Sequence, residues 1–164
     1  MFPHQFTRAP GGWLLLAQGL FNYSKVRRPD GSAFADGATE IPFNQCKLAR
    51  MTLDGSRFEN LTAGPNNIWG LVITGEGETF IQEANDYGYP VMPFHEYAYY
   101  PGGMEALKKS YQPDFPPMTD VRMGGTGLSG LALIEDGSLR DKKAVHTMAV
   151  ANPIISKIQT IAMH

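Results

Sequence analysis

The side chains best suited to chemistry in this sequence stand at the ends of short predicted strands. His4 precedes one such strand, and three oxygen-bearing residues, Glu83, Asn85 and Asp86, stand at the end of another. A neutral imidazole can serve as a general base near its ordinary pKa of about 6.5. Carboxylate and amide oxygens are the ligands that calcium prefers. We therefore take His4 as the candidate catalytic base and the three oxygen-bearing residues as a candidate calcium site.

A second group of polar side chains could bind a substrate or a cofactor. Arg122 comes at the end of a long connection and is a candidate contact for an anion or a sugar, and Lys157 is a second candidate cation. The other members are amides, a hydroxyl and an indole that lie beside predicted strands: Gln5, Asn66, Asn67, Trp69, Ser129 and Asn152. His95 and His146 are instead predicted to be packing or surface residues.

The composition excludes several classes of function. The chain has 164 residues, a net charge of −2 and no run of lysine or arginine longer than a pair, which argues against a nucleic-acid surface. No apolar run approaches the roughly 20 residues that a membrane helix needs. The glycine-rich residues 123–127 are followed by neither a lysine nor a helix, so they are not a phosphate-binding loop. The single cysteine, Cys46, is predicted to be a small core residue rather than a reactive thiol.

The elements that must position these side chains are predicted to be β-strands. The chain contains 18 glycines and 12 prolines and few long amphipathic runs, which is typical of an all-β protein with many turns. Asp54-Gly55 lies between alternating segments, and this is the strongest short-range signal for a hairpin. Residues 18–45 are predicted to be a long connection without regular structure. Residues 87–122 are rich in aromatics, and are predicted to pack against a sheet or to form a lid.

A strand–turn–strand plan occurs three times along the chain. Its turns fall at residues 10–12, 75–77 and 135–137, and further strands follow the first and third hairpins. Repeated units of four short strands are typical of a β-propeller. We therefore predict a fragment of about three four-stranded blades, at residues 1–45, 46–122 and 123–164, the last of them truncated. An immunoglobulin-like sandwich is the alternative architecture, but it does not explain the repeated order of the turns.

The propeller prediction places the candidate side chains on one face. In a propeller, the residues before the innermost strand of a blade and those after its second strand lie at the same face. His4 and Asn67 precede innermost strands, whereas Glu83 and Asn152 follow second strands. The convergence of an imidazole, a carboxylate and several amides at one mouth is what makes these residues a candidate site.

Several long motifs of this chain resemble a known group of proteins. Residues 53–56, 64–71 and 77–81 are similar to the blade pattern of the soluble quinoprotein glucose/sorbosone dehydrogenases. Residues 80–90, 123–131 and 151–159 resemble the propeller domains of membrane-bound dehydrogenases from planctomycete- and verrucomicrobia-like bacteria. The resemblance covers most of the chain and implies a periplasmic or extracellular location for the parent protein, although residues 1–4 show no signal-peptide pattern.

The resemblance implies a catalytic role for His4 and a quinone cofactor. In that group a histidine before an innermost strand takes the proton of the sugar hydroxyl while hydride passes to pyrroloquinoline quinone. The chain departs from the pattern at Gly19 and Leu20, where an aspartate is expected, and at Asn66-Asn67-Ile68, where Arg-Asn-Pro is expected. Full-length members often add a cytochrome c module. No Cys-x-x-Cys-His occurs in this chain, so haem would belong only to a downstream module.

Three functional hypotheses follow from these observations. The first is a fragment of a propeller oxidoreductase that acts on a sugar or alcohol and passes electrons to a quinone or a fused cytochrome c. The second is a calcium-dependent, lactonase-like hydrolase. The third is a non-catalytic propeller that binds carbohydrate or protein through aromatic side chains. The aromatic candidates are Trp69, Tyr97, Tyr99 and Tyr100.

Overall fold

A computed structural model of the chain describes residues 3–45, 47–62, 64, 67–84, 90–98, 123–124 and 127–164. Within these ranges the regular structure is β-strand apart from one 3-10 turn, so the predicted all-β class is confirmed. Some predicted residues lie outside the described ranges: Cys46, Asn66, Asn85, Asp86, Tyr99, Tyr100 and Arg122. No helix in the described part of the chain is long and apolar enough to cross a membrane.

The chain folds as two compact units. The first unit comprises Met1–Ile68 and His95–Pro116, and the second comprises Trp69–Phe94 and Pro117–His164. Each unit contains its own cluster of buried apolar side chains among the described residues.

The first unit contains a four-stranded antiparallel sheet. Its strands are β1 (His4–Ala9), β2 (Trp13–Gln18), β5 (Lys47–Thr52) and β6 (Phe58–Asn60), in the order β1-β2-β5-β6. Both predicted hairpins are present, because Gly11 (φ 79°) and Gly55 (φ 67°) supply the left-handed conformation that their turns require. The sheet extends across the predicted blade boundary at residue 45, since β5 and β6 complete it.

The connection at residues 18–45 has regular structure, contrary to the prediction. Strands β3 (Tyr23–Val26) and β4 (Ile41–Asn44) pair as an antiparallel hairpin. Phe34 and Phe43 from this segment are buried against Leu16 of β2, and the ring of Phe58 meets that of Phe43 edge to face at 5.4 Å. The apolar side chains of this segment therefore form part of the core of the first unit.

The second unit contains two three-stranded sheets. One has the order β7-β8-β9, formed by Ile68–Ile73, Thr79–Glu83 and Val91–Pro93. The other has the order β10-β11-β12, formed by Ser129–Leu133, His146–Asn152 and Lys157–Met163. The second and third predicted hairpins are thus confirmed. Strand β9 lies in the stretch that was predicted to be a loop, and it pairs with β8 through Ile81 opposite Met92.

Gly70 allows β7 and β10 to approach each other closely. A Cβ atom at position 70 would lie 2.6 Å from Cβ of Leu131 on β10 and 2.7 Å from Cβ of Gln82 on β8. It would also lie 3.0 Å from the backbone nitrogen of Leu131. Real side chains do not approach this closely, so these three strands pack together only because position 70 has no side chain.

Candidate functional site

In the first unit, the candidate residues lie where β1 begins and β2 ends. His4 is the register partner of Ala17, and Gln18 is the partner of Lys47 at the start of β5. We call this end of the sheet the first strand-end edge and define it by His4, Gln5, Gln18, Phe21, Asn22, Tyr23 and Gln45. An antiparallel hairpin brings its first and last residues together, which is why the sequence could place His4 beside the residues that follow β2.

Gln18 connects this edge to the β3–β4 hairpin. The side chain is fully buried, and its Nε2 donates hydrogen bonds to the carbonyl oxygens of Phe43 (2.7 Å) and Gln45 (3.1 Å), with a longer contact to that of Asn22 (3.4 Å). Ser24 Oγ donates to Gln18 Oε1 at 3.3 Å. The amide of Gln18 therefore supplies a donor to backbone carbonyls of β4 and of the residues beside it.

We expect Gln18→Leu to lower the free energy of unfolding by about 2 kcal/mol, because it leaves buried carbonyls without their donor. Gln82 offers a matched control. It is also fully buried near the end of a second strand, but its Oε1 has no hydrogen-bond partner among the described residues. Gln82→Leu removes that unsatisfied oxygen together with a single donated hydrogen bond, from Nε2 to the carbonyl of Glu83, and should cost less than about 1 kcal/mol. Urea denaturation measures both values, and equal losses in the two variants would contradict the role assigned to Gln18.

His4 at this edge is in a suitable protonation state for a base. The side chain is partly buried, and this burial lowers the pKa of His4 below its ordinary value of about 6.5. At pH 7 the imidazole is therefore neutral and can accept a proton. The positions at which the resembled group has an aspartate are Gly19 and Leu20, and neither side chain can orient an imidazole.

The His4 imidazole is expected to titrate below about pH 6.5 in the folded chain. Because its pKa is lower in the folded state than in the unfolded state, the unfolded chain takes up the proton first as the pH falls. The free energy of unfolding should therefore be insensitive to His4 above about pH 6.5, should fall as the pH drops from there to the folded-state pKa, and should show no further dependence on His4 below it. NMR titration of the His4 imidazole resonances measures the pKa of His4 in the folded chain. A midpoint at or above that of an unstructured histidine peptide would contradict it.

In the second unit, other predicted residues gather at a corresponding edge. Glu83 ends β8, and the backbone nitrogens of Gly127 and Leu128 both donate to the carbonyl of the adjacent Ala84, at 2.8 and 3.0 Å. Ser129 then begins β10 opposite Ala151 of β11. We call this the second strand-end edge and define it by Trp69, Glu83, Ser129, Asn152 and Lys157. Asn67 directly precedes β7 and is assigned to the first unit.

Asn152 has a positioning role within the second strand-end edge. It is fully buried, its Nδ2 donates to the carbonyl oxygen of Met123 at 3.0 Å, and its Oδ1 accepts a longer contact from the backbone nitrogen of Ile155 at 3.4 Å. Its amide thus binds the backbone of Met123, which precedes β10, and that of Ile155, in the turn between β11 and β12. Lys157, its register partner on β12, is exposed and remains accessible to a ligand.

The candidate calcium site is described only at Glu83. This carboxylate side chain is fully buried, and the two other predicted ligands, Asn85 and Asp86, lie outside the described ranges. Among the residues that the structure describes, no group of three or more histidine, cysteine, aspartate or glutamate side chains is arranged to hold a metal ion.

A second feature of this unit was not predicted from the sequence. His146 Nε2 lies 2.6 Å from Glu78 Oε2, and the rings of His146 and Phe80 meet at 5.5 Å. A cleft of about 230 Å³ is located beside this pair, at the turn end of β7–β8 and β10–β11. Its lining includes the charged side chains of Glu76, Glu135 and Arg140 and the imidazole of His146. Superposition of the hairpins places the two residues at similar positions, with Glu78 directly before β8 and His146 at the start of β11, but it does not show that the two strands come together.

No family model matches this chain, and neither a curated protein nor a solved structure matches it. The chemistry of the two strand-end edges is therefore the basis for a functional proposal. The first edge supplies a neutral imidazole close to the buried amide of Gln18, whose Nε2 donates to backbone carbonyls. The second supplies a buried carboxylate, a hydroxyl and an exposed ammonium group.

Proposed function

We propose that this chain is part of a propeller oxidoreductase that oxidises a sugar or alcohol. The observation that carries the proposal is His4, a partly buried imidazole with a lowered pKa at the start of β1. Oxidation of an alcohol to a carbonyl removes a proton from oxygen and a hydride from carbon. A neutral imidazole can accept the proton, and a two-electron acceptor of the quinone class would take the hydride. The resemblance to quinoprotein sugar dehydrogenases assigns this role to the same position.

The architecture supports the propeller part of the proposal. The order β1-β2-β5-β6 is that of a four-stranded blade into which the β3–β4 hairpin is inserted. Two further antiparallel sheets begin with similar hairpins. Each second strand ends in a fully buried polar side chain: Gln18, Glu83 and Asn152. The repetition of a buried polar group at equivalent positions is expected of repeated blades that share one plan.

Pyrroloquinoline quinone fits the first strand-end edge poorly. This cofactor carries carboxylates that need cationic or donor groups, yet the side chains that define the edge are neutral at pH 7, and the Gln18 amide donates to backbone carbonyls. Asn67 stands next to the position at which the resembled group has arginine. We therefore assign proton transfer to His4 and assign no residue of this edge to the cofactor.

Dye reduction tests the proposed activity. The protein is incubated with D-glucose or a primary alcohol, an artificial electron acceptor, calcium and added pyrroloquinoline quinone, and then with a c-type cytochrome in place of the quinone. Substrate-dependent reduction in either mixture supports the proposal. If no dye is reduced with any sugar or alcohol in both mixtures, the proposal fails.

Carbohydrate binding without catalysis is the second candidate function. It is favoured by the aromatic side chains of Phe21 and Tyr23, which are 76% and 72% exposed at the first strand-end edge. Sugar binding measured in the absence of any electron acceptor, together with no dye reduction, would favour this function over the oxidoreductase.

A further inference from the structure

The geometry points to a carbohydrate-binding platform formed by Phe21 and Tyr23 at the first strand-end edge. This inference deepens the proposed function and rests on it for the class of substrate. Neither side chain was among the residues predicted from the sequence to bind a ligand. Three features support the inference: a strained backbone, a buried hydrogen-bond network that holds both residues, and the exposure of both rings.

The backbone of the platform is strained at Phe21 and Gln45, and Gln5 of the same edge also has a positive φ, of 57°. Phe21 has a φ of 56° and Gln45 has a φ of 61°, so both occupy the left-handed region. This region is unfavourable for residues with a Cβ atom and is rare for a bulky aromatic residue. Such conformations persist only where the surrounding structure imposes them, and they are concentrated at functional sites.

A single buried glutamine holds both aromatic residues. Gln45 is 4% exposed, its Oε1 accepts a hydrogen bond from the backbone nitrogen of Phe21 at 3.1 Å, and its Nε2 donates to the hydroxyl of Tyr23. The backbone nitrogen of Gln45 donates to the carbonyl of Asn22 at 2.7 Å. Gln18 Nε2 in turn donates to the carbonyl of Gln45. The network therefore fixes the backbone of the turn and the phenol of Tyr23.

This network keeps two aromatic side chains in solvent. A large apolar side chain is normally stabilised by burial, yet here buried amides and two strained residues hold Phe21 and Tyr23 in exposed positions. An arrangement that gives up burial and accepts strain is expected where the rings have a ligand to contact. The platform is therefore better explained by binding than by folding.

The chemistry of the platform fits the ring of a sugar. The faces of an aromatic ring carry a partial negative charge and attract the slightly positive C–H bonds on one face of a pyranose, while a phenol can exchange hydrogen bonds with sugar hydroxyls. The side chains of the network, Gln18, Ser24, Gln45 and Tyr23, are all neutral. A ligand that combines an apolar face with uncharged hydroxyl groups matches these surroundings better than an ion does.

Ligand-observed saturation-transfer NMR with D-glucose and with cellotetraose tests the platform. We expect saturation transfer to at least one of the two probes from the wild-type chain. Phe21→Gly and Tyr23→Ala should each weaken the affinity roughly tenfold, the loss expected when an aromatic contact is removed. Phe6→Ala is the matched control, because Phe6 is an exposed phenylalanine (58%) on β1 of the same unit. The sugar affinity of the Phe6→Ala variant should equal that of the wild type.

Glycine at position 21 separates binding from folding. Glycine adopts positive φ without strain, so Phe21→Gly should leave the urea midpoint equal to or above that of the wild type while it weakens sugar binding. The inference is overturned if the wild type binds neither probe, or if Phe21→Gly binds as tightly as the wild type. Sugar binding that persists without dye reduction would overturn the oxidoreductase and leave the platform. If the substrate KM for dye reduction is unchanged in Phe21→Gly and Tyr23→Ala, the platform alone is overturned.

Discussion

Replacement of Gly70 by alanine is expected to destabilise the second unit by about 3 kcal/mol, at the upper end of the cost of overpacking a core. The added methyl group would overlap Cβ of Leu131 and Cβ of Gln82. It would also press on the backbone nitrogen of Leu131, so no change of rotamer can relieve the contact. Strands β7 and β10 must separate instead, and the apolar cluster around Leu131 and Phe80 would lose packing.

Gly75 provides the matched control for this substitution. It lies at the β7–β8 turn, no heavy atom lies within 4 Å of the position that its Cβ would take, and its φ is not positive. Gly75→Ala should therefore change the free energy of unfolding by less than about 0.5 kcal/mol. Urea denaturation, combined with amide hydrogen exchange of peptides from β7 and β10, measures both variants. A Gly70→Ala variant as stable as Gly75→Ala would show that these strands are not closely packed.

The second large effect is expected on activity. His4→Gln should lower kcat for dye reduction by about 10²–10⁴, the usual contribution of a general base, because glutamine cannot accept the hydroxyl proton. The substrate KM should change much less, since the imidazole acts mainly in the proton-transfer step. Steady-state dye reduction at several sugar or alcohol concentrations separates the two parameters.

The pH dependence and a second histidine serve as controls for this prediction. In the wild type, kcat should rise with pH through the lowered pKa of His4, and this rise should be absent in His4→Gln. His164 is exposed, and His164→Gln should leave both kcat and the pH profile unchanged. A His4→Gln variant with the wild-type kcat for dye reduction would show that His4 is not the general base.

The hairpins of the fold could be predicted from the sequence because their signals are local. Asp54-Gly55 and the turn at Pro10–Gly12 lie between apolar segments of the right length, and the observed strands begin and end within a few residues of the predicted ones. The β3–β4 hairpin was missed because Val26 and Ile41 pair across a long segment without a two-residue turn. Strand β9 was missed because only three residues, Val91–Pro93, belong to it.

The candidate site was only partly accessible to sequence reasoning. The placement of His4 beside the end of β2 follows from hairpin geometry, and this much could be predicted. The burial of Gln18 and Gln45 depends on which polar groups come to face their amides, and no local pattern encodes that. The His146–Glu78 pair likewise needs residues from two sheets to be brought together, which the sequence pattern alone does not specify.

The insertion of the β3–β4 hairpin constrains how the first sheet can assemble. The pairs β1–β2 and β5–β6 close short turns and can form quickly, whereas β2–β5 joins Gln18 to Lys47 and closes a long loop. Prior formation of β3–β4 shortens the free chain within that loop and reduces the entropy lost on closure. We therefore expect β2–β5 pairing to be the slow step in folding of this unit, with the hydrogen bonds of Gln18 to Phe43 and Gln45 forming after the barrier is crossed.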